Sequence, residues 1–380
     1  MHNHIDSLKT WLASSPPSLP MLIGLDGFVD NLVHVVDTRT SPSAYKRIDT
    51  IAALGQRLLD AAGLSTNIEL FQYDSKPGGN GPNMAAALLE YGATIFYLGA
   101  IGQGEDIHPV FRQMAAKCAA VYAIGTPGQS DALEFRDGKL ILGKHSTLLD
   151  IGWPSICAAL GGAQGLARTI AGCKLLAIKN WTMLPHMSDI WDKLINEVLP
   201  LLPLVTAQER PIAFFDLCDP AKRTHEDIDH AMQLLGRFET RFRVVLGLNA
   251  KELFEVSTAL GLPSDNTLPE NELNRALSLE LYKHLDIDTL VVHPVREAFA
   301  WSQGEYYHTK GPYCASPLLT TGAGDNFNAG FCLCLAHGRH PTEALLLGAA
   351  TSGFYVRNAK SPTTSQAYTF LEAWQSGKLE

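Results

Sequence analysis

From about residue 165 to residue 293 the chain alternates short unbroken apolar runs with amphipathic stretches, and that rhythm narrows the fold more than any other feature. Residues 175–179, 212–216, 243–246 and 289–293 read as strands, and 188–199, 227–238, 250–260 and 273–285 as helices. A strand apolar along its whole length has no wet face, so the sheet it joins is covered on both sides. A helix between consecutive strands makes that sheet parallel. The expectation is an α/β fold with a mostly parallel central sheet, and ligands in such sheets bind beyond the carboxyl ends of the strands.

Residues 318–331 hold the most informative local pattern, Leu-Leu-Thr-Thr-Gly-Ala-Gly-Asp-Asn-Phe-Asn-Ala-Gly-Phe. It reads as an extended approach, a glycine turn at Gly322 and Gly324, and a helix with apolar Phe327, Phe331, Cys334 and Leu335 that stops at Gly338. A glycine turn opening a helix aims free backbone N–H groups and the positive end of the helix dipole at one place, which suits a phosphate. Asp325 sits in that place, and a carboxylate there repels an anion unless it has another task. Removing the proton of an attacking alcohol is such a task, while the N–H groups of Ala323, Gly324 and Asp325 hold the charge on the transferring phosphoryl group. With an ordinary pKa of about 3.9 and a helix N-terminus beside it, Asp325 is expected to be ionised near neutrality.

Thr320-Thr321-Gly322-Ala323-Gly324-Asp325-x-Phe-x-x-Gly resembles the C-terminal signature of ribokinase-type (PfkB-type) carbohydrate kinases. The resemblance implies a ribokinase-like three-layer α/β/α fold with a small β lid, Asp325 as catalytic base, and an anion hole at Gly322, Ala323 and Gly324. Gly78-Gly79-Asn80-Gly81-Pro82-Asn83, followed by an alanine-rich helix and Gly92-Ala93, is similar to the family's N-terminal signature. By that likeness Gly78, Gly79, Asn80 and Asn83 grip the acceptor, and Asp30, just past the first strand, holds its hydroxyls. A carboxylate accepts hydrogen bonds from two vicinal hydroxyls, which is the chemistry such a position needs. Asp26 is a second acid in the same turn, without an assigned role. Asn249-Ala250-Lys251-Glu252 matches the family's Asn-x-x-Glu, which implies that Asn249 and Glu252 order Mg2+ near the phosphates; the same residues also spell a complete helix capping box. Thr321, Gly322 and Gly324 join Asn249 on the nucleotide side. The 212–223 strand end, Asp216-Leu217-Cys218-Asp219-Pro220-Ala221-Lys222-Arg223, is similar only loosely to the family's Asp-Pro-Asn-x-Arg.

The resemblance runs from about residue 22 to 362 and implies one kinase domain, with its core at about 20–27, 78–125 and 160–370 and its lid at about 28–77 and 128–150. Residues 41–77, with a helix at 48–62 and a strand at 67–73, are longer than the family spacing predicts, and are expected to extend the lid over the sugar. Leu133 to Leu142 is the clearest hairpin, with Asp137-Gly138 expected as its tight turn. Three positions depart from the pattern: His293-Pro294-Val295-Arg296-Glu297-Ala298 lacks the usual threonine and two glycines, Leu319 replaces an acid or amide, and Ala349 replaces an asparagine. All three concern the donor nucleotide or a monovalent cation, not Asp325.

A net charge of −9 over 380 residues argues against a nucleic-acid partner. The seven cysteines show no C-x-x-C spacing and read as reduced thiols of a cytoplasmic protein, and no apolar run is long enough for a membrane span. The function expected is transfer of the terminal phosphoryl of ATP, with Mg2+, to a hydroxyl of a sugar or sugar-like alcohol. A nucleoside acceptor, an ADP donor, or a catalytically weak sugar-binding or regulatory protein on the same scaffold are the alternatives. A homodimer through lid strands follows from the resemblance alone.

Overall fold

Alternate residues of the central strands feed two separate apolar cores. Leu176, Ile178, Ala213, Phe215, Val244 and Leu246 pack on one side, against Ile156, Leu166, Trp191, Leu235 and Val256. Their neighbours Leu175, Ala177, Ile212, Phe214 and Val245 pack on the other, against Met84, Leu88, Phe331, Leu345 and Leu371. This is the period-two consequence of strands with no wet face, and it gives a three-layer α/β/α body.

The computed structural model describes residues 2–265 and 267–379. In chain order its strands are β1 (Pro20–Leu25), β2 (Phe28–Ser41), β3 (Ala44–Arg47), β4 (Leu70–Gly78), β5 (Thr94–Gly99), β6 (Gly102–Gly104), β7 (Asp106–Ile107), β8 (Ala120–Gly125), β9 (Gly128–Phe135), β10 (Gly138–Lys144), β11 (Leu175–Lys179), β12 (Ile212–Asp216), β13 (Arg243–Leu248), β14 (Thr289–Val292), β15 (Glu297–Ser302) and β16 (Glu305–Lys310). The central sheet has 11 strands in the order β16-β15-β14-β13-β12-β11-β1-β5-β8-β6-β7. From β14 through β8 every pairing is parallel; antiparallel strands close both edges. The edge hairpin β15–β16 was not expected from the sequence. Among the described residues no helix is long and apolar enough to cross a membrane.

The second sheet runs β10-β9-β2-β3, with β4 also paired to β2, and stands off the core as a lid. The long segment after β2 differs from expectation in where it goes. Its helix, Ile51–Asp60, packs Leu54 with Ile48 onto Val33, Val35, Leu133 and Phe135. Val33 and Asp30 differ by an odd number of residues on one strand, so this helix covers the face opposite Asp30. An apolar strand face needs cover, and that need places this helix on the outer face of the lid sheet, while β3 and β4 of the same segment join the sheet itself. The hairpin turn is also shifted by one residue: Gly138 pairs with Phe135, leaving Arg136 and Asp137 as the turn. Asp137 accepts a 2.8 Å hydrogen bond from the Ile51 N–H, which ties the turn to that same helix.

Candidate active site

Strands β1, β11, β12, β13 and β14 end side by side, and their last residues or the next ones are Asp26, Lys179, Asp216, Asn249 and His293. Asp325 faces them from the first turn of the helix Ala323–Ala336, which Gly322 opens at φ 89°. A positive φ at that position is ordinary for glycine and strained for other residues. The turn leaves no side-chain cap. Ala323 turns its N–H back to the Thr320 carbonyl at 3.0 Å, and Asn326 bonds the Gly322 carbonyl at 3.0 Å. Of the three N–H donors expected for the anion hole, Gly324 and Asp325 are therefore the two free to serve; Ala323 is not.

Asp325 is buried, and both of its oxygens are held. Oδ1 accepts from the ammonium of Lys179, and Oδ2 accepts from Asn83 Nδ2 at 3.0 Å. Lys179 is fully buried, and its Nζ lies 3.3 Å from a second carboxylate, Asp216, whose Oδ2 also accepts from Asn328 at 3.1 Å. Burial pushes the Asp325 carboxyl up to about 6, with Asp216 adding to the rise and Lys179 and Asn83 opposing it. The ordinary carboxylate value expected from the sequence is thus corrected by desolvation, although the group stays mostly ionised at pH 7. Burial also works against the Lys179 charge, but Asp325 and Asp216 outweigh it and keep the ammonium protonated.

On the acceptor side, Asp30 lies in the lid with Ser130 donating to its Oδ1. A Cβ on Gly78 would fall 2.4 Å from the Asp30 carboxylate, so only glycine lets the loop pass that close. Gly79 caps the helix Asn80–Glu90 at φ 100°. Asp26 is wholly buried and accepts from the Asn80 N–H at 2.8 Å, the Gly81 N–H at 2.7 Å and Asn180 Nδ2 at 2.8 Å. It clamps the loop at Asn80 and Gly81 to the sheet. Asn83, expected at the sugar, donates to the Asp325 carboxylate. Tyr355, which the sequence did not single out, donates to the Thr321 carbonyl at 2.8 Å. Its phenol pKa is raised by burial and by the charges of Asp325 and Asp30, so both acids are within electrostatic reach of it.

On the other side of the glycine turn lies a cleft of about 340 Å³, lined by Asn249, His293, Tyr313, Gly324, Ala349 and Val356 among others. Thr320 lines it; Thr321 and Gly322 do not, the Thr321 carbonyl accepting from Tyr355 and a Cβ on Gly322 meeting Tyr355 and Asn83. The departures His293 and Ala349 both belong to this cleft. The His293 ring lies tilted against Phe327 with centroids 4.8 Å apart, and a Cβ on Gly324 would lie 3.2 Å from its Cε1. Burial pushes the imidazole down to about 4, so it is neutral at pH 7. Asn249 and Glu252 form the capping box: Asn249 Oδ1 accepts the Glu252 N–H at 2.9 Å, and Glu252 Oε2 accepts the Asn249 N–H at 3.0 Å. Glu252 Oε1 accepts the Asp219 N–H at 3.1 Å. Burial and the nearby Asp216 raise Glu252 to about 7.

The family model for prokaryotic ketohexokinase matches residues 2–374. The chain belongs to the prokaryotic ketohexokinase family. A ketohexokinase of Haloferax volcanii is 28% identical over 99% of this chain and 96% of its own length. The fold is also that of Arabidopsis thaliana ribokinase, solved with ribose and ATP (TM-score 0.64, 15% identity, 94% of this chain and 99% of that one). Ribokinase from Cryptococcus neoformans, solved with ADP, is similarly alike (TM-score 0.63, 16% identity, 93% and 99%). This member of the ketohexokinase family is therefore a carbohydrate kinase on a ribokinase-like scaffold, as the two glycine signatures implied.

Proposed function

We propose that this kinase moves the terminal phosphoryl of ATP to a hydroxyl of a ketohexose, with Asp325 as general base. One observation carries the reading: the Asp325 carboxylate lies at the glycine-turn helix entry, joined through Asn83 to the acceptor loop and flanked by a cleft on its other side. The name of the Haloferax volcanii relative supports a ketohexose over a nucleoside. Asp30 and the loop Gly78, Gly79 and Asn80 bind the acceptor hydroxyls, and the Asn80 side chain, which makes no hydrogen bond among the described residues, is available to them. Asp325 takes the proton of the attacking hydroxyl through the oxygen not held by Lys179. The Gly324 and Asp325 N–H groups and the helix dipole stabilise the charge on the transferring phosphoryl group.

The donor occupies the cleft between Asn249, His293 and Ala349, whose volume is in the range of small-molecule sites. Asn249 and Glu252 fit a magnesium ion held through its waters, since both Glu252 oxygens already accept backbone N–H groups and magnesium keeps most of its hydration. Bound there, it would neutralise charge on the donor phosphates. The test is a coupled assay for ADP release with Mg2+ and ATP against fructose, other ketohexoses, aldoses, ribose and nucleosides. Turnover with a ketohexose is expected; turnover confined to nucleosides, or none with any sugar, overturns the reading.

A further inference from the structure

Lys179 ends a strand whose five residues are all buried, and its ammonium has no route to solvent. A buried cation is tolerated only where carboxylates compensate it. Here there are two, Asp325 and Asp216, with Asp26 also within electrostatic reach. The pairing with Asp325 is not needed to hold the sheet, which is bonded through its backbone. It falls instead on the group that must change charge during catalysis.

We propose that Lys179 is a positioning residue for phosphoryl transfer: it holds one oxygen of Asp325 and keeps the carboxylate ionised, while Asp216 stands ready as its second counter-ion. The inference rests on Asp325 being the base. In the transfer, the acceptor O–H bond breaks and its proton goes to Asp325. The acceptor oxygen bonds phosphorus, and the bond to the bridging oxygen breaks, its electron pair leaving with ADP. Asp325 is then neutral. A lysine paired with Asp325 alone would become an isolated buried cation, and that penalty would oppose the step. With Asp216 3.3 Å away, the ammonium remains paired throughout. The arrangement lets the base be strongly held as an anion and yet accept a proton.

Around the Lys179–Asp325 pair, the titratable groups within electrostatic reach are Asp216 from β12, Asp26 from the end of β1, Cys332 from the helix Ala323–Ala336, His293 from the end of β14, Cys218 after β12 and Tyr97 from β5, with the Phe214 ring 5.9 Å from the ammonium. Of these His293 is neutral at pH 7 and burial keeps the Cys332 thiol protonated, so the acids set the balance.

The test is the pH profile of kcat for Lys179→Met in the full chain, with ATP, Mg2+ and the acceptor on which the wild type turns over. Removing the ammonium is expected to lower kcat about 10²-fold at pH 7 and to move the acid limb upward by about one unit or more, with both KM values within about threefold. Lys179→Arg, which keeps the charge, is expected to restore the position of the limb. An unmoved limb in Lys179→Met overturns the proposal, as does a loss of kcat that Lys179→Arg shares in full with the limb displaced. Should Lys179→Met not fold, Asp216→Asn gives the opposite sign: Lys179 then serves Asp325 alone and the limb moves down. An unmoved or raised limb there overturns the proposal. Asp325→Asn separates the two readings: if it keeps wild-type turnover the base assignment itself falls, whereas its inactivity beside an unaffected Lys179→Met removes only Lys179.

Discussion

Asn83 donates a 3.0 Å hydrogen bond to Oδ2 of Asp325, so the two glycine signatures, 242 residues apart in the chain, meet at one carboxylate. Asn83 thereby helps to hold the Asp325 carboxylate in place, and any movement of the loop before it is felt at that oxygen.

Asp325→Asn keeps the shape and most of the hydrogen bonding of the side chain but cannot take a proton. Turnover should fall about 10³-fold, with acceptor and donor KM changed little. Steady-state kinetics with both substrates varied checks this, and near-normal kcat would contradict the base assignment.

The pH dependence follows from the raised Asp325 carboxyl. The base works when ionised, so kcat should be level near neutrality and fall as pH drops through about 6. An acid limb near the ordinary carboxylate value would show that desolvation does not govern this group. His293 does not produce the limb, because its imidazole already titrates down at about 4.

His293→Ala tests the donor side. A neutral imidazole against Gly324 in the cleft can donate to a phosphate oxygen without setting a second cation near Lys179. Its loss should raise KM for ATP about tenfold, the worth of one hydrogen bond to a charged group, and leave KM for the acceptor unchanged. Equal rises in both constants would count against a donor-side role.

Asp26→Ala removes the acceptor of three hydrogen bonds in a wholly buried place, leaving the Asn80 and Gly81 N–H groups unpaired. The expected loss is about 3 kcal/mol of stability, with weakened acceptor binding. Urea unfolding measures the first and kinetics the second. A stable variant would show that the loop is held by other contacts.

Much of this was readable because its physics is local. Glycines at a helix entry and a carboxylate three residues on say what a place can bind, and unbroken apolar strands say how a sheet is covered. Lys179 escaped notice because a lysine closing an apolar run reads as the strand meeting water; its meaning lies in Asp325, 146 residues further along. Tyr355 was hidden for the same reason, as one aromatic among the apolar residues of the long helix Pro341–Asn358. The bond from Asn83 to the Asp325 carboxylate was not legible, since spacing along a helix does not say which side chain faces across to another. The side taken by the helix Ile51–Asp60 was not legible, because its apolar residues show that it needs a partner without showing which face of β2 supplies one.

Asp26 and Asp30 stand on either side of the short passage from β1 into β2, one locked in the core and the other in the lid, while the helix Ile51–Asp60 rides on the lid's far side. The spacing between Asp30 and the core is therefore set by a few bonds of backbone and by the pairing of β2 with β4, and that helix takes no part in it. That outer layer is open ground for protein engineering: it can be resurfaced, labelled or tethered while the chemistry beneath keeps its dimensions.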